Sequence, residues 1–324
     1  MKLQSNLSLM LFIIAFSILL FIIKDGNSQP KLERCYINTS SSQELKELLK
    51  YKDDRMPILS AHRGGPKQNF PENHTATFEN TLKYSFALIE IDPRYTKDSI
   101  IIVHHDADLQ RTTTGNGIVS EYSYKELKKL KLKDLSGKPT RYRIQTLKEM
   151  LHWARGKSVL VLDKKDVPIA ERIRIVEECD AVSNAIIMAY TFDEAKLGYS
   201  INSNIIMQVF INSLDQVSEF DNTGVPWENI VVFVGHQAPK DTNLFEQIHQ
   251  RNALCIQGTS RNLDIDLIRN EFSNIDEMIN SYKVLLRNGV DILETDIPVE
   301  LGKVLFDDVA IHPTKRKYFK KTNK

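Results

Sequence analysis

The sequence predicts an α/β fold, a (β/α)8 TIM-type barrel with an extra antiparallel hairpin strand after the second barrel strand. From Ile58 onward, short β-rich runs alternate with longer helical patterns, which is typical of a parallel sheet covered by helices. Nine runs are strand candidates, and two of these are separated by only a turn, which leaves eight β/α units. No glycine-rich dinucleotide-binding motif follows any run, and this weakens the alternative of a doubly wound open sheet.

The predicted strands and helices alternate in an order that supports this count. Strands are predicted at residues 58–63, 87–95, 99–105, 158–164, 184–190, 204–210, 229–235, 253–258 and 291–297. Helices are predicted at residues 75–85, 146–155, 169–182, 191–200, 213–220, 244–252 and 275–289. Active sites of such barrels lie at the carboxyl ends of the strands, so the polar residues that end these runs are the candidates for chemistry.

The second and third runs are predicted to form a hairpin, because parallel strands need a crossover of about a dozen residues. If Lys97 and Asp98 are the two central turn residues, Glu90 lies opposite His105 and the two side chains share a face. A shift of one residue would bring His104 to that face instead, so the choice between the two histidines depends on the register.

The two ends of the chain differ from its middle. Residues 1–28 are predicted to be a signal peptide or a membrane anchor, because residues 7–23 form an uncharged apolar run. We therefore expect an exported protein, periplasmic or extracellular, either released or held at the membrane by that run. Residues 29–55 are predicted to be a polar linker with one short helix, residues 56–312 the barrel domain and residues 313–324 a solvated basic tail.

The overall composition is that of a globular protein with a sizeable core. The 324 residues are 42% hydrophobic and 26% charged, and the formal net charge is +1. A nucleic-acid partner would usually require a basic excess, so none is expected. Composition leaves the oligomeric state open.

Paired acids in the second run are the first candidates for a functional site. Glu90 and Asp92 are two residues apart and therefore point to the same face of a strand. Two carboxylates side by side repel each other unless a cation or a proton lies between them, and Ca²⁺ and Mg²⁺ favour such oxygen clusters. The alternative is an exposed strand face with two solvated acids.

Other polar residues end neighbouring runs. His62 and Arg63 end the first run. His62 and a second histidine beside the paired acids could divide the roles of general acid and general base. The planar guanidinium of Arg63 could bind a phosphate or a carboxylate. Asp163 and Lys165 share a face at the end of the fourth run, which suggests a third metal ligand and a second phosphate contact. Asp296 ends the last run and could orient a substrate or cap a loop.

Five stretches together resemble the glycerophosphodiester phosphodiesterase family. They are "AHRGG…FPENHTATF", "ALIEIDPRYTKDSIIIVHHDADLQRTTTGNGIVSE", "YRIQTLKEML", "SVLVLDKKD" and "NGVDILETDIP". The resemblance is strong over residues 58–165, returns around residues 288–298, and is limited to the β/α rhythm over residues 184–280. It implies a (β/α)8 barrel that hydrolyses glycerophosphodiesters with a divalent metal, Ca²⁺ or Mg²⁺, to glycerol 3-phosphate and an alcohol.

The resemblance also implies roles for individual residues. The two catalytic histidines of the family correspond to His62 and His105, since the second one directly precedes an aspartate. The metal carboxylates correspond to Glu90 and Asp92.

The remaining implied contacts are with the substrate or the metal. The phosphate-contacting arginine corresponds to Arg63, an acidic residue near the site to Glu72, and the Glu-x-Lys motif to Asp163 and Lys165.

The chain departs from the family pattern at two places. Asp163 replaces the usual glutamate and is shorter by one methylene, about 1.5 Å of reach. An aromatic residue that lines the alcohol site is not evident in residues 253–259, where it would be expected. Two alternatives therefore stay open, an exported phospholipase-type phosphodiesterase acting on lipid or wall polymer and a non-catalytic binding module built on the same barrel.

Overall fold

A closed barrel of eight parallel strands forms the centre of the protein in the computed structural model, which describes residues 34–52, 54, 56–268, 275–305 and 311–322. The strands follow one another around the barrel in the order β10-β11-β2-β3-β6-β7-β8-β9. The predicted (β/α)8 fold is confirmed, and the closed sheet excludes the doubly wound alternative.

The strands are numbered in chain order. They are β1 Arg34–Ile37, β2 Ile58–Ala61, β3 Ala87–Ile91, β4 Pro93–Tyr95, β5 Ile101–Val103, β6 Leu160–Leu162, β7 Ala185–Ala189, β8 Ile206–Phe210, β9 Ile230–Gly235, β10 Cys255–Gly258, β11 Ile292–Thr295 and β12 Phe319–Thr322. The α-helices are Ser42–Leu49, Thr75–Thr81, Tyr124–Leu127, Leu147–Ala154, Ile169–Glu178, Phe192–Ile201, Leu214–Asp221, Asn243–His249, Leu263–Ile268, Ile275–Arg287 and Pro298–Leu305.

Each barrel strand alternates between an inward and an outward row of side chains. Outward residues such as Ile89 and Leu160 pack under the helices in the largest hydrophobic cluster. Inward residues such as Leu88, Val161 and Ile186 form a second cluster inside the barrel. Because side chains two apart share a face, the polar residues that follow these inward positions point into the carboxyl-terminal mouth.

The hairpin is present, but its register differs from the predicted one. Strands β4 and β5 form a separate antiparallel pair in which Pro93 lies opposite Val103, whereas Asp92 was expected there. The turn has three residues between Thr96 and Ile100 instead of two, and its last residue, Ser99, has a left-handed φ of 58°. The extra residue shifts the pairing by one position, so the register argument for His105 is wrong.

The segments expected to be a linker and a solvated tail pack onto the barrel. Strands β1 and β12 pair antiparallel, with Cys35 opposite Lys321. Phe319 is 5% exposed and meets Phe86 edge to face at 5.1 Å between ring centroids. Lys315 donates from Nζ to the carbonyl oxygen of Leu48 at 2.7 Å, at the end of the first described helix. The few apolar residues among many lysines concealed this pairing in the sequence.

The predicted signal peptide or anchor at residues 1–28 lies outside the described residues. Among the helices that the structure describes, none is both long enough and apolar enough to cross a membrane.

Substitution of Phe319 by alanine tests whether the C-terminal strand belongs to the folded core. We expect the free energy of unfolding to fall by about 3–5 kcal/mol, because a buried aromatic ring leaves a cavity. Lys320→Ala is the matched control, since Lys320 is exposed on the same strand and its loss should change stability by less than about 0.5 kcal/mol. Urea denaturation curves of equal midpoint for the two variants would show that the strand does not stabilise the barrel.

Candidate active site

A cavity of about 400 Å³ opens at the carboxyl-terminal mouth of the barrel. Seven of the residues singled out in the sequence line it: His62, Arg63, Glu90, His105, Asp163, Lys165 and Asp296. Asp92 lies within the same carboxylate cluster, whereas Glu72 is outside the cavity lining. The structure therefore brings together residues from strands β2, β3 and β6 and from the hairpin.

The three predicted metal ligands meet in one buried cluster. One carboxylate oxygen from each of Glu90, Asp92 and Asp163 lies within 4.8 Å of the other two. Burial raises the pKa of Glu90 well above its usual range, and the neighbouring Asp92 raises it further. Burial also acts to raise the pKa of Asp92, but Lys165 and His105 outweigh it and leave that pKa lowered. Such an oxygen cluster fits a hard divalent cation, which would supply positive charge where the repulsion is greatest.

Each carboxylate of the cluster is also oriented by a protein donor. The backbone N–H of Arg63 donates to Glu90 Oε2 at 2.7 Å, and Asn73 Nδ2 donates to Asp92 Oδ2 at 2.6 Å. Asp163 accepts hydrogen bonds from Lys165 Nζ and from the hydroxyl of Tyr190. The shorter side chain at position 163 is thus held by two donors.

Two cations face the cavity from strained positions of the backbone. Arg63 has a φ of 52° and Lys165 a φ of 39°, both in the left-handed region that side chains usually avoid. Lys165 Nζ lies 3.0 Å from Asp92 Oδ1, and the two nearby aspartates raise the pKa of Lys165 against the effect of burial. Backbone strain of this kind concentrates at functional sites.

Two glycines allow the turn that carries His62 and Arg63 to approach its neighbours closely. A Cβ on Gly64 would lie 2.3 Å from the ring of Phe78, and one on Gly65 would lie 2.2 Å from Pro298. Both glycines also have positive φ angles, 85° and 76°. Only glycine satisfies both demands, which explains the "RGG" sequence.

His62 is held in an orientation that favours its protonated form. Its Nδ1 is 2.6 Å from Asp296 Oδ1. Burial alone would lower the pKa of His62, but the hydrogen bond to Asp296 and the nearby carboxylates of Glu90 and Glu294 raise it to about 9. The carboxylate that ends the last barrel strand therefore orients a histidine.

His105, in contrast, is held in its neutral form. Its Nδ1 is 2.6 Å from Asp106 Oδ1, while its Nε2 is 2.8 Å from Arg63 NH2. Arginine can only donate, so Nε2 accepts and the ring is neutral with its proton on Nδ1. Burial is the main cause of the lowered pKa of His105, although Asp92 and Asp106 act against it.

His104 points away from the cavity. It is 2% exposed, and its Nε2 lies 2.9 Å from the carbonyl oxygen of Asp108. Strand β5 ends at Val103, so the backbone turns at the two histidines and the strand register no longer determines which of them faces the site. His105 lines the cavity as expected, but for a reason different from the predicted one.

Glu72 connects two arginines behind the cavity. It accepts from Arg63 NH1 at 3.3 Å and from Arg111 NH1 at 2.7 Å. Arg111 Nε also donates to Asp106 Oδ2 at 2.6 Å, which links the pair to His105. Glu72 thus positions the arginine and the second histidine from outside the cavity lining, and its contact with the substrate stays a prediction.

The residues on the far side of the cavity were not predicted from the sequence. Tyr190 and Phe210 stack there at 4.7 Å between ring centroids, and Phe233 follows on the next strand. Gln208 and Glu294 line the cavity at inward positions of strands β8 and β11. The alternation of inward and outward side chains along each strand could have identified these five residues, because each follows the inward-facing positions of its strand. The aromatic lining is thus on strands β7 to β9 and not in residues 253–259.

Comparisons with known proteins agree with this geometry. The sequence model of the glycerophosphoryl diester phosphodiesterase family matches residues 62–299. A glycerophosphodiester phosphodiesterase of Caldanaerobacter subterraneus is 33% identical over 146 residues, which are 45% of this chain and 58% of that protein. The chain thus matches little more than half the length of this curated relative.

Solved structures show the same fold. A glycerophosphoryl diester phosphodiesterase from Parabacteroides distasonis is 36% identical, with a TM-score of 0.83 over 89% of this chain and 100% of that chain. A phosphodiesterase from Oleispira antarctica, solved with the product sn-glycerol-3-phosphate, has a TM-score of 0.56 at 17% identity over 78% of this chain and 98% of that chain. With its family match, its barrel and its close structural relative, the chain belongs to the glycerophosphoryl diester phosphodiesterase family.

Proposed function

We propose that the protein hydrolyses small glycerophosphodiesters to glycerol 3-phosphate and an alcohol. The observation that carries this proposal is the pairing of His62 and His105 in one cavity with pKa values moved in opposite directions. An acid and a base with separated pKa values are what a phosphodiester hydrolase needs. The product bound in the Oleispira antarctica structure supports the substrate class.

The charges of the site match a phosphodiester. Arg63 and Lys165 both line the cavity and carry positive charge near the position of a bound phosphate. The carboxylates beneath them would hold Ca²⁺ or Mg²⁺ through Glu90, Asp92 and Asp163. When bound, the cation supplies further neutralisation of the phosphate oxygens.

The two histidines divide the proton transfers. His105 Nε2 takes the proton of the attacking oxygen while a new P–O bond forms. Attack by water gives glycerol 3-phosphate directly. Attack by the glycerol 2-hydroxyl gives a cyclic phosphate, and a water molecule then forms a P–O bond and breaks the ring P–O bond to give glycerol 3-phosphate. His62 Nε2 gives its proton to the leaving alcohol oxygen as the old P–O bond breaks. Asp296 stabilises the charged form of His62 through Nδ1, and Asp106 holds His105 with its proton on Nδ1.

The location of the protein is also a proposal. The uncharged run at residues 7–23 supports export, with the barrel of residues 56–312 acting in the periplasm or outside the cell. Cell fractionation with an antibody against the barrel tests this directly, and recovery of the protein in the cytosolic fraction would contradict it.

Alanine substitution of either cavity histidine should remove most of the activity. We expect His62→Ala and His105→Ala to lower kcat by about 10²- to 10⁴-fold, measured as choline release from glycerophosphocholine. His104→Gln is the matched control, because it keeps a donor for the Asp108 carbonyl oxygen and lies outside the cavity lining. Equal losses in all three variants would contradict the assignment.

The hydrogen bond between His62 and Asp296 predicts a pH effect. His62 must be protonated to act as the acid, so activity should fall as pH rises through its pKa of about 9. Asp296→Asn removes the negative charge that stabilises the imidazolium and therefore lowers this pKa. The alkaline limb of the kcat profile should move to lower pH by on the order of one to two units. If the alkaline limb stays at the same pH in Asp296→Asn, a group other than His62 produces it.

Chelation should inactivate the protein if the carboxylate cluster holds a cation. Excess EDTA is expected to abolish hydrolysis, and Ca²⁺ or Mg²⁺ should restore it. Asp163→Asn should weaken cation binding in calorimetry, because it removes one of the three charges in the cluster. Full activity in excess EDTA would refute the metal assignment.

A further inference from the structure

Two polar side chains inside the barrel have hydrogen-bonding capacity that the described residues do not use. Gln208 is 1% exposed, and within the described part of the chain neither its Nε2 nor its Oε1 has a partner. Glu294 is 6% exposed, and its Oε2 likewise lacks a partner among the described residues. Both side chains line the active-site cavity. Unpaired buried polar groups are destabilising, so their retention beside a cavity points to a ligand.

The chemistry of these atoms restricts what that ligand can be. The amide of Gln208 requires a group that both accepts and donates, while the carboxylate of Glu294 requires a donor. A phosphate offers acceptors and repels the carboxylate. A metal cation satisfies the carboxylate and the amide oxygen of Gln208, but it leaves the NH₂ group of Gln208 without an acceptor. A hydroxyl group donates and accepts, and it is the simple substituent that suits both side chains.

Gln208 lies away from the strand that carries Glu90, whereas Glu294 lies beside the strand that precedes His62 and Arg63. Strand β8, which carries Gln208, lies three strands from β3 around the barrel. Glu294 lies on β11, where Ser60 is its register partner on β2. The Ser60 hydroxyl is also buried and has no partner among the described residues, so a third hydroxyl-compatible group adjoins Glu294.

We propose that Gln208 and Glu294 form a polyol subsite, which binds the hydroxyl groups of an uncharged arm of the substrate. The inference rests on the proposed function and specifies what part of the substrate lies against strands β8 and β11. The arm is either the glycerol that remains on the phosphate or a polyol in the leaving alcohol. The two sources have the same hydroxyl chemistry, and substrates with hydroxyl groups on one or both sides distinguish them.

Binding of products tests the subsite without any turnover. Calorimetry in buffer containing Mg²⁺ compares sn-glycerol 3-phosphate with inorganic phosphate on the full chain. Gln208→Leu should weaken glycerol phosphate binding by about fivefold to tenfold and leave phosphate binding unchanged. Gln257→Leu is the matched control, because Gln257 is 2% exposed and lies outside the cavity lining. Equal binding of glycerol phosphate in the two variants would exclude the retained glycerol as the bound arm, and a parallel loss of phosphate binding would overturn the subsite.

The Tm of the ligand-free protein is a second measurement, because a structural role for Gln208 would lower Tm in Gln208→Leu and the proposed role would not. Leucine at position 208 removes an unpaired amide from an apolar interior, so Tm of the ligand-free protein should stay equal or rise. A large fall in Tm would mean that Gln208 supports the fold. Glu294→Gln keeps an acceptor and should retain Mg²⁺ affinity, whereas a loss of that affinity would assign Glu294 to the cation instead of the polyol.

Steady-state kinetics then identify the source of the hydroxyl groups. Glycerophosphocholine carries hydroxyls only on its glycerol side, and glycerophosphoglycerol carries them on both sides. A rise in KM for both substrates in Gln208→Leu assigns the subsite to the retained glycerol, and a rise for glycerophosphoglycerol alone assigns it to the leaving alcohol. An unchanged KM for both contradicts the proposal. If the wild-type protein hydrolyses neither substrate, the proposed function fails, while weaker glycerol phosphate binding by Gln208→Leu would still support the subsite.

Discussion

The constraint on which the site depends is the burial of several carboxylates at one end of a closed barrel. Glu90, Asp92 and Asp163 converge because their strands are neighbours, and water cannot screen their repulsion there. A lysine and a backbone donor offset part of this charge. Lys165 approaches two of the carboxylates, and the backbone N–H of Arg63 donates to the third. Both residues have φ angles in the left-handed region, and backbone strain of this kind is found at functional sites.

The same charge distinguishes the two histidines. His62 lies beside carboxylates that stabilise its charged form, whereas Arg63 donates to His105 Nε2, which is therefore unprotonated in the structure. Arg63 therefore contacts both parts of the site, through its backbone N–H on Glu90 and through its guanidinium on His105. Glu72 and Arg111 hold this guanidinium and Asp106 in one network, so a change at Glu72 or Arg111 also affects the surroundings of His105.

Much of the architecture could be predicted from the sequence because it depends on short-range patterns. All nine strand candidates contain a strand, and the carboxylates at inward positions follow from alternation alone. The hairpin register could not be predicted, since Ser99 adopts a left-handed conformation that glycine or asparagine would have signalled. The β1–β12 pairing was missed because it joins distant segments of few apolar residues, Cys35 and Phe319 among them. Gln208 and Glu294 were overlooked because alternation marks them as inward residues but neither belongs to a recognisable motif.

The pairing of β1 with β12 has a consequence for the order of folding. The segment Arg34–Ile37 leaves the ribosome early, and its partner Phe319–Thr322 lies close to the last described residue. Contacts of such large sequence separation form late and slow the folding of a domain. The second hydrophobic cluster, which includes Ile37, Leu45, Ile58 and Phe319, is therefore complete only after the last barrel strand and the segment that follows it have been synthesised. Until then the unfinished barrel exposes apolar surface to solvent.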